Sequence, residues 1–265
     1  MFKKLGYAVS FAVAASTTFA QEGFEVPVTA EILSGWVAPD GSRTAALRLT
    51  LAPGWKTYWR APGDAGIPPQ FRWSGSRNLE GVAISWPTPK VFDQNGMRSI
   101  GYENSVTIPL HVEPQRKGKP VRLKATMELG ICSDVCIPHE LHLDALIDSI
   151  ETKPTPAIAA ALAEQPYSAS EAGVTAMKCS VRPTHDGLEI ETRITMPSAG
   201  SPEYVVIEPQ AGDIWVSEAE TQRQGNQIVA TSEMVSVSGA PIALDRSAIR
   251  VTVLGQKHAV DIHGC

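Results

Sequence analysis

Apolar and polar residues alternate along much of the chain, and turn-forming residues recur at intervals of about ten positions. The clearest alternation lies in Val121–Leu129, where the odd positions are apolar and the even positions are mostly charged. Glu140–Ile147 repeats it, again with apolar odd positions. A period of two places one face of a strand against a core. The pattern therefore predicts an all-β protein of the sandwich type.

One segment departs from this alternation. Thr155 and Pro156 precede an alanine-rich run that ends at Pro166. A threonine at the N-cap and a proline at the first helical position are typical of a helix start, so we predict a short helix here. With a length that favours two domains, the predicted organisation is a signal peptide (1–20), a first β-sandwich (21–151), a helical linker (152–170) and a second β-sandwich (171–265).

The first twenty residues have the features of a secretory signal. Lys3 and Lys4 are followed by an apolar stretch and by small residues ending at Ala20. The apolar stretch is shorter than the roughly 20 residues that cross a bilayer, and no later segment approaches that length. Gln21, which is not a cysteine, would begin the mature chain. We expect an exported, periplasmic or secreted protein with no transmembrane segment and no lipid anchor.

Charge and motifs narrow the function classes. The chain has 23 Lys and Arg against 28 Asp and Glu, a net charge of −5, and no basic tract in the mature part. Such a balance gives no long-range attraction to nucleic acid or to an anionic membrane. The sequence has neither Gly-x-Ser-x-Gly nor His-Glu-x-x-His, so a hydrolase has no support. We predict no organic cofactor.

Four cysteines carry the candidate chemistry. Disulfides persist in exported proteins, and the even count suits pairing. A bridge between Cys179 and Cys265 would close a long loop worth about 4.6 kcal/mol, against about 2 kcal/mol for one between Cys132 and Cys136. We interpret the distant pair as a structural disulfide and the close pair, at the rim between two predicted strands, as redox-active. Four cysteines allow three connectivities, and the sequence does not choose among them.

The residues around the close pair shape its expected reactivity. Asp134 lies between the two cysteines, with Glu128 and Glu140 near, and negative charge disfavours a thiolate. We therefore expect ordinary or raised thiol pKa values, moderated at most by His139, as suits a relay dithiol. Two other interpretations remain open. The bridge is a structural clip, or Cys132, Cys136 and His139, with Met127, are soft ligands for copper(I) or zinc; our primary prediction is no metal.

A further hypothesis concerns the segment from Phe92 to Tyr102. Trp and Tyr residues of the first half are expected to pack in the core and at sheet edges. The functional hypothesis is that this segment is a loop that covers the cysteine pair and moves when a partner docks.

Several motifs together resemble a known family. They are Gly54-Trp55, Tyr58-Trp59, Pro62–Gly66, Trp86-Pro87, Gly101–Glu103 and the segment Cys132-Ser-Asp-Val-Cys136-Ile-Pro. In combination they are similar to the periplasmic N-terminal region of the DsbD thiol:disulfide interchange family, and most of all to its ScsB-like branch, which is associated with suppression of copper sensitivity. The resemblance covers most of Val26–Ile150 and, more weakly, the second β domain.

The resemblance implies an immunoglobulin-like domain in which Cys132 and Cys136 receive electrons from a membrane-embedded dithiol and reduce periplasmic thioredoxin-fold proteins. Full members of the family continue into a membrane transporter and a thioredoxin-like domain, whereas this sequence stops at Cys265. Either the electron donor is on a separate chain, so that the protein would be a component of a protein-disulfide reductase, or the exchange role has been lost; we expect the first. The competing class is an exported copper-handling or protein-binding module whose short disulfide is structural.

Overall fold

The computed structural model describes residues 27–64, 66–94, 97–210 and 213–265. The predicted signal peptide and its cleavage site lie outside these ranges. Within them, no helix is long and apolar enough to cross a membrane.

Residues 28–147 form two antiparallel sheets that share one hydrophobic core. The first sheet has the strand order β1-β2-β8-β5 and the second β10-β9-β3-β7-β6, while β4 pairs with β9 beyond the end of β3. Alternating leucine, isoleucine and valine side chains fill the space between the sheets, as the sequence pattern requires. The strands are β1 (Val28–Val37), β2 (Arg43–Leu51), β3 (Lys56–Tyr58), β4 (Gln70–Arg72), β5 (Leu79–Ile84), β6 (Lys90–Gln94), β7 (Met97–Glu103), β8 (Ser105–Pro114), β9 (Val121–Cys132) and β10 (Cys136–Ile147).

Residues 167–263 form a second pair of sheets with its own core. One sheet has the order β11-β19-β18-β14 and the other β12-β13-β17-β15, with β16 also pairing with β17. A one-turn 3₁₀ helix (Arg246–Ala248) precedes β18. The predicted all-β class is confirmed, and the sandwiches fit an immunoglobulin-like fold. The strands are β11 (Tyr167–Ser168), β12 (Ala176–Pro183), β13 (Leu188–Thr195), β14 (Tyr204–Glu208), β15 (Ile214–Val216), β16 (Glu220–Gln224), β17 (Gln227–Ser236), β18 (Arg250–Leu254) and β19 (Ala259–His263).

A short helix, α1 (Pro156–Ala163), lies between the two sandwiches. Thr155 occupies the N-cap position with extended backbone angles, but its hydroxyl makes no capping hydrogen bond and is buried without a partner. The predicted short helix, with Thr155 at the N-cap and Pro156 at its first position, is therefore confirmed, although the Thr155 side chain does not cap it. The helix is held instead by packing against β8, with Ile158 only 1% exposed.

The segment from Phe92 to Tyr102 is not the loop that we expected. Its described residues belong to β6 and β7, which pair as an antiparallel hairpin with Phe92 opposite Ser99. The rule that successive side chains point to opposite faces therefore fixes the direction of each residue.

Candidate functional site

Cys132 and Cys136 occupy the two ends of a strand pair. Cys132 is the last residue of β9 and Cys136 the first of β10, and the two lie directly opposite each other in the register. Their disulfide spans a Cα–Cα distance of 4.1 Å, and Ser133 donates a backbone hydrogen bond to Val135 across the turn. The other disulfide joins Cys179 on β12 to Cys265.

The two sulfur-bearing residues of the short bridge differ sharply in exposure. Cys132 is 2% exposed, whereas Cys136 is exposed and lies beside Val135, an apolar side chain with 67% of its surface open to solvent. Thiol–disulfide exchange requires that the attacking sulfur reach the sulfur it attacks. A protein partner that approaches this turn therefore meets Cys136 first.

The cysteines lie on the outer face of the second sheet, away from the core. On β9 this face carries Gly130 and Cys132, because Leu129 and Ile131 point into the core. The register then places Tyr58 and Lys56 of β3 on the same face, since Lys56 is opposite Cys132.

Tyr58 makes a polar contact with the sulfur of Cys136. Its hydroxyl oxygen lies 3.2 Å from Cys136 Sγ, and since a disulfide sulfur carries no proton, the hydroxyl is the donor. Tyr58 is 3% exposed, and this burial raises the pKa of its phenol. The hydroxyl therefore keeps its proton across the neutral range and can donate to a sulfide or a thiolate.

Two glycines, one on β9 and one in the loop after β3, leave room for the Tyr58 ring. A Cβ on Gly130 would lie 2.8 Å from the ring and from Ile67, and one on Gly66 would lie 2.9 Å from the ring. The loop that follows β3 thus covers Gly130 and Tyr58 from outside the sheet, next to the buried sulfur of Cys132.

Lys56 is a positive charge that our reading of the sequence missed. It is opposite Cys132 on one side and opposite Glu103 of β7 on the other, and it is 8% exposed. Its ammonium lies 4.8 Å from the centre of the Phe92 ring, a cation–π contact. Burial lowers the pKa of Lys56, and the charge of Glu103 opposes that effect.

Two of the three acidic residues expected to raise the thiol pKa values are paired with an arginine. Arg72 forms ion pairs with Glu128 and with Glu140, the latter at 3.2 Å. Asp134 is exposed in the turn between the cysteines.

The remaining predicted residues lie apart from the sulfurs. His139 is an odd number of residues from Cys136 and so points to the opposite face of β10. Tyr102 is 6% exposed in the core, where its hydroxyl donates to Pro87 O at 2.7 Å. Burial raises its pKa. Phe92, by contrast, lies on the cysteine face over Lys56.

The proposed metal ligands are not gathered into one cluster. Cys132 and Cys136 are bonded to each other, and His139 faces away from them. In the described ranges, three possible metal-binding side chains do converge elsewhere, around β8 of the first sheet: Asp40, His111 and Glu113.

The second sandwich holds the loop that covers the site. Arg60, two residues after Tyr58, donates to both carboxylate oxygens of Glu208 at 2.9 and 3.0 Å and to the Thr252 hydroxyl at 3.1 Å. Its guanidinium also stacks on Trp59, which is fully buried. An open cleft of about 550 Å³ lies beside this contact, between the loop and strands β14 and β15.

Comparison with known proteins finds a matching family for the first sandwich and a solved structure of similar fold. Residues 18–147 match the family described as thiol:disulfide interchange protein DsbD, N-terminal. The structure is similar to the crystal structure of the N-terminal periplasmic domain of ScsB from Proteus mirabilis, with a TM-score of 0.65 and 21% identity over 89% of this chain and 91% of that one. No match to the sequence was found among curated proteins.

Proposed function

From the premise that residues 18–147 form a DsbD N-terminal-like domain, we propose that the protein relays electrons by thiol–disulfide exchange through Cys132 and Cys136. The observation that carries the proposal is the asymmetry of the pair: Cys136 is an exposed residue beside an apolar side chain, and Cys132 is a buried one. A structural clip needs no such asymmetry.

The chemistry balances over two exchanges. A donor thiolate attacks Cys136 Sγ, the Cys132 thiolate leaves, and the second donor thiolate then attacks the donor sulfur of the mixed disulfide to release the reduced pair. The Cys136 thiolate next attacks a client disulfide and expels one client thiolate. Cys132 attacks Cys136 Sγ and expels the other. Each cycle moves two electrons and two protons from the donor dithiol to the client.

The proposed setting is the periplasm, with a membrane-embedded dithiol on a separate chain as donor and a thioredoxin-fold protein as client. The similarity of the domain to a periplasmic one supports this setting. The exposed Val135 supports a protein client, because an apolar side chain at the rim suits a protein surface better than water.

The test uses two single variants, Cys132→Ser and Cys136→Ser, each assayed for reaction with a small aromatic disulfide. The relay predicts that Cys132→Ser, which leaves the exposed sulfur free, reacts at least about tenfold faster than Cys136→Ser, because the buried thiol is shielded. Cys132→Ser should also form a mixed disulfide with a thioredoxin-fold protein that lacks its resolving cysteine. Equal rates and no mixed disulfide would favour the copper-handling or protein-binding module.

A further inference from the structure

A buried lysine lies next to the buried cysteine, and no function is yet assigned to it. Lys56 and Cys132 are directly opposite each other on neighbouring antiparallel strands and share one face of the sheet. Residues in that relation have Cβ atoms about 4.5–5.5 Å apart. Both are nearly inaccessible to solvent, with exposures of 8% and 2%.

The charge of Lys56 is not used by an ion pair in the described part of the chain. The carboxylate of Glu103, which faces it from β7, instead binds Lys90 at 2.5 Å. The ammonium lies over the face of the Phe92 ring. Burial of a cation without an ion-pair partner is costly, and a neighbouring anion in a medium of low dielectric constant relieves that cost.

We propose that the Lys56 ammonium stabilises the thiolate of Cys132 in the reduced protein. This inference rests on the proposed relay. In that relay Cys132 departs as a thiolate when the donor attacks Cys136, and it attacks as a thiolate when the client is released. A single fixed cation therefore assists both exchanges, as leaving-group stabiliser in the first and as thiolate generator in the second.

Other groups around Cys132 also affect the equilibrium between its thiol and its thiolate. The negative charge of Asp134, in the turn, destabilises a thiolate. Glu103 lies on the other side of Lys56 from Cys132, and its negative charge partly offsets the positive charge of the lysine. Tyr58 is neutral, and its hydroxyl contacts Cys136 Sγ. Glu128, on the same face of β9, is paired with Arg72.

The test measures the thiol pKa values of the fully reduced protein from thiolate absorbance as a function of pH. Lys56→Met keeps the length and apolar stem of the side chain but removes the charge. We expect the pKa of Cys132 to rise by about one unit, a tenfold change in the thiol–thiolate equilibrium, and the reduction potential of the pair to become more negative. Lys56→Arg keeps the positive charge, so the pKa of Cys132 and the reduction potential should both stay close to their wild-type values.

Two further variants separate charge from structure. Glu103→Gln should shift the pKa and the potential in the opposite direction to Lys56→Met, because it removes the charge that opposes the lysine; a purely structural role predicts no such reversal. The control is Lys124→Met. Lys124 is exposed on β9, the strand that ends at Cys132, so loss of its charge should change neither the pKa of Cys132 nor the reduction potential. If Lys56→Met does not fold, Lys56→Gln, which also lacks the charge but keeps a polar side chain, takes its place in every comparison.

An unchanged Cys132 pKa in Lys56→Met, or shifts of the same sign in Lys56→Met and Glu103→Gln, would overturn the inference. Because the thiol pKa is measured on reduced protein without a partner, this outcome is independent of whether the wild-type pair exchanges. A protein that shows the pKa shifts but no exchange would overturn the relay alone.

Discussion

At the scale of single residues, the main feature of the site is that its two bonded cysteines differ in exposure to solvent. Cys132 is buried between its neighbouring strands β3 and β10, while Cys136 is the first residue of an edge strand and is exposed. Tyr58 bridges the two environments, since its ring is buried and its hydroxyl reaches Cys136 Sγ.

Tyr58→Phe tests that hydroxyl. A hydrogen bond to a charged group such as a thiolate contributes about 1.5–3 kcal/mol, which corresponds to about one to two pKa units. We expect the pKa of the Cys136 thiol to rise by about that amount, because the thiolate loses a donor that it needs more than the thiol does. Thiolate absorbance of reduced protein measures it. A pKa that stays the same or falls would show that the hydroxyl does not bind the thiolate.

At the scale of elements, the hairpin of β9 and β10 is the platform of the site. Its register runs without a break from Val121 opposite Ile147 to Cys132 opposite Cys136. Gly130 is the point where this platform accepts the covering loop, since any side chain there would enter the space of Tyr58 and Ile67.

Gly130→Ala should displace the loop. Overpacking of this kind costs about 1–3 kcal/mol, and the loosened cover should speed reduction of the Cys132–Cys136 bond by dithiothreitol. Urea unfolding and the rate of reduction measure the two effects. The matched control is Gly81→Ala on β5, where a Cβ meets nothing within 4 Å. Equal behaviour of the two variants would mean that the loop does not shield the disulfide.

The sequence was sufficient to predict β9 and β10 because their alternation is long and one face is apolar. It placed the two cysteines in the connection between those strands, whereas β9 and β10 extend far enough to include them. It did not reveal Lys56, because β3 has three residues and no periodicity to read. Its neighbour Cys132 is set by long-range pairing, which local pattern does not encode. Tyr102 was drawn into the expected site by its motif, although its strand position directs it into the core.

At the scale of the whole molecule, the two sandwiches are joined by more than the linker. Leu254 and Ala259 of the second sandwich pack into the core cluster of the first. Arg60 adds a polar clamp to Glu208 and Thr252, with side-chain exposures of 12% for Arg60 and 22% for Glu208. The second sandwich therefore holds in place the loop that packs against Tyr58 and Gly130, next to the disulfide.

Arg60→Met should weaken this brace. Removal of one partner from a largely buried ion pair costs about 3 kcal/mol, because the other charge is left unpaired. We expect that loss in the free energy of unfolding by urea, together with faster reduction of the Cys132–Cys136 bond. Arg122→Met, which breaks an exposed pair with Asp144, should cost much less stability than Arg60→Met, because water screens exposed charges. If the two variants lose the same stability, the clamp adds nothing beyond a surface pair.

The most direct test of the relay is a redox titration of the intact protein in graded dithiol buffers, with alkylation and peptide mass mapping to follow each cysteine separately. The account predicts that Cys132–Cys136 opens at roughly −180 to −270 mV, the range of exchange proteins, while Cys179–Cys265 stays closed. If both bridges resist reduction to below about −300 mV, the short disulfide is structural and the relay is contradicted.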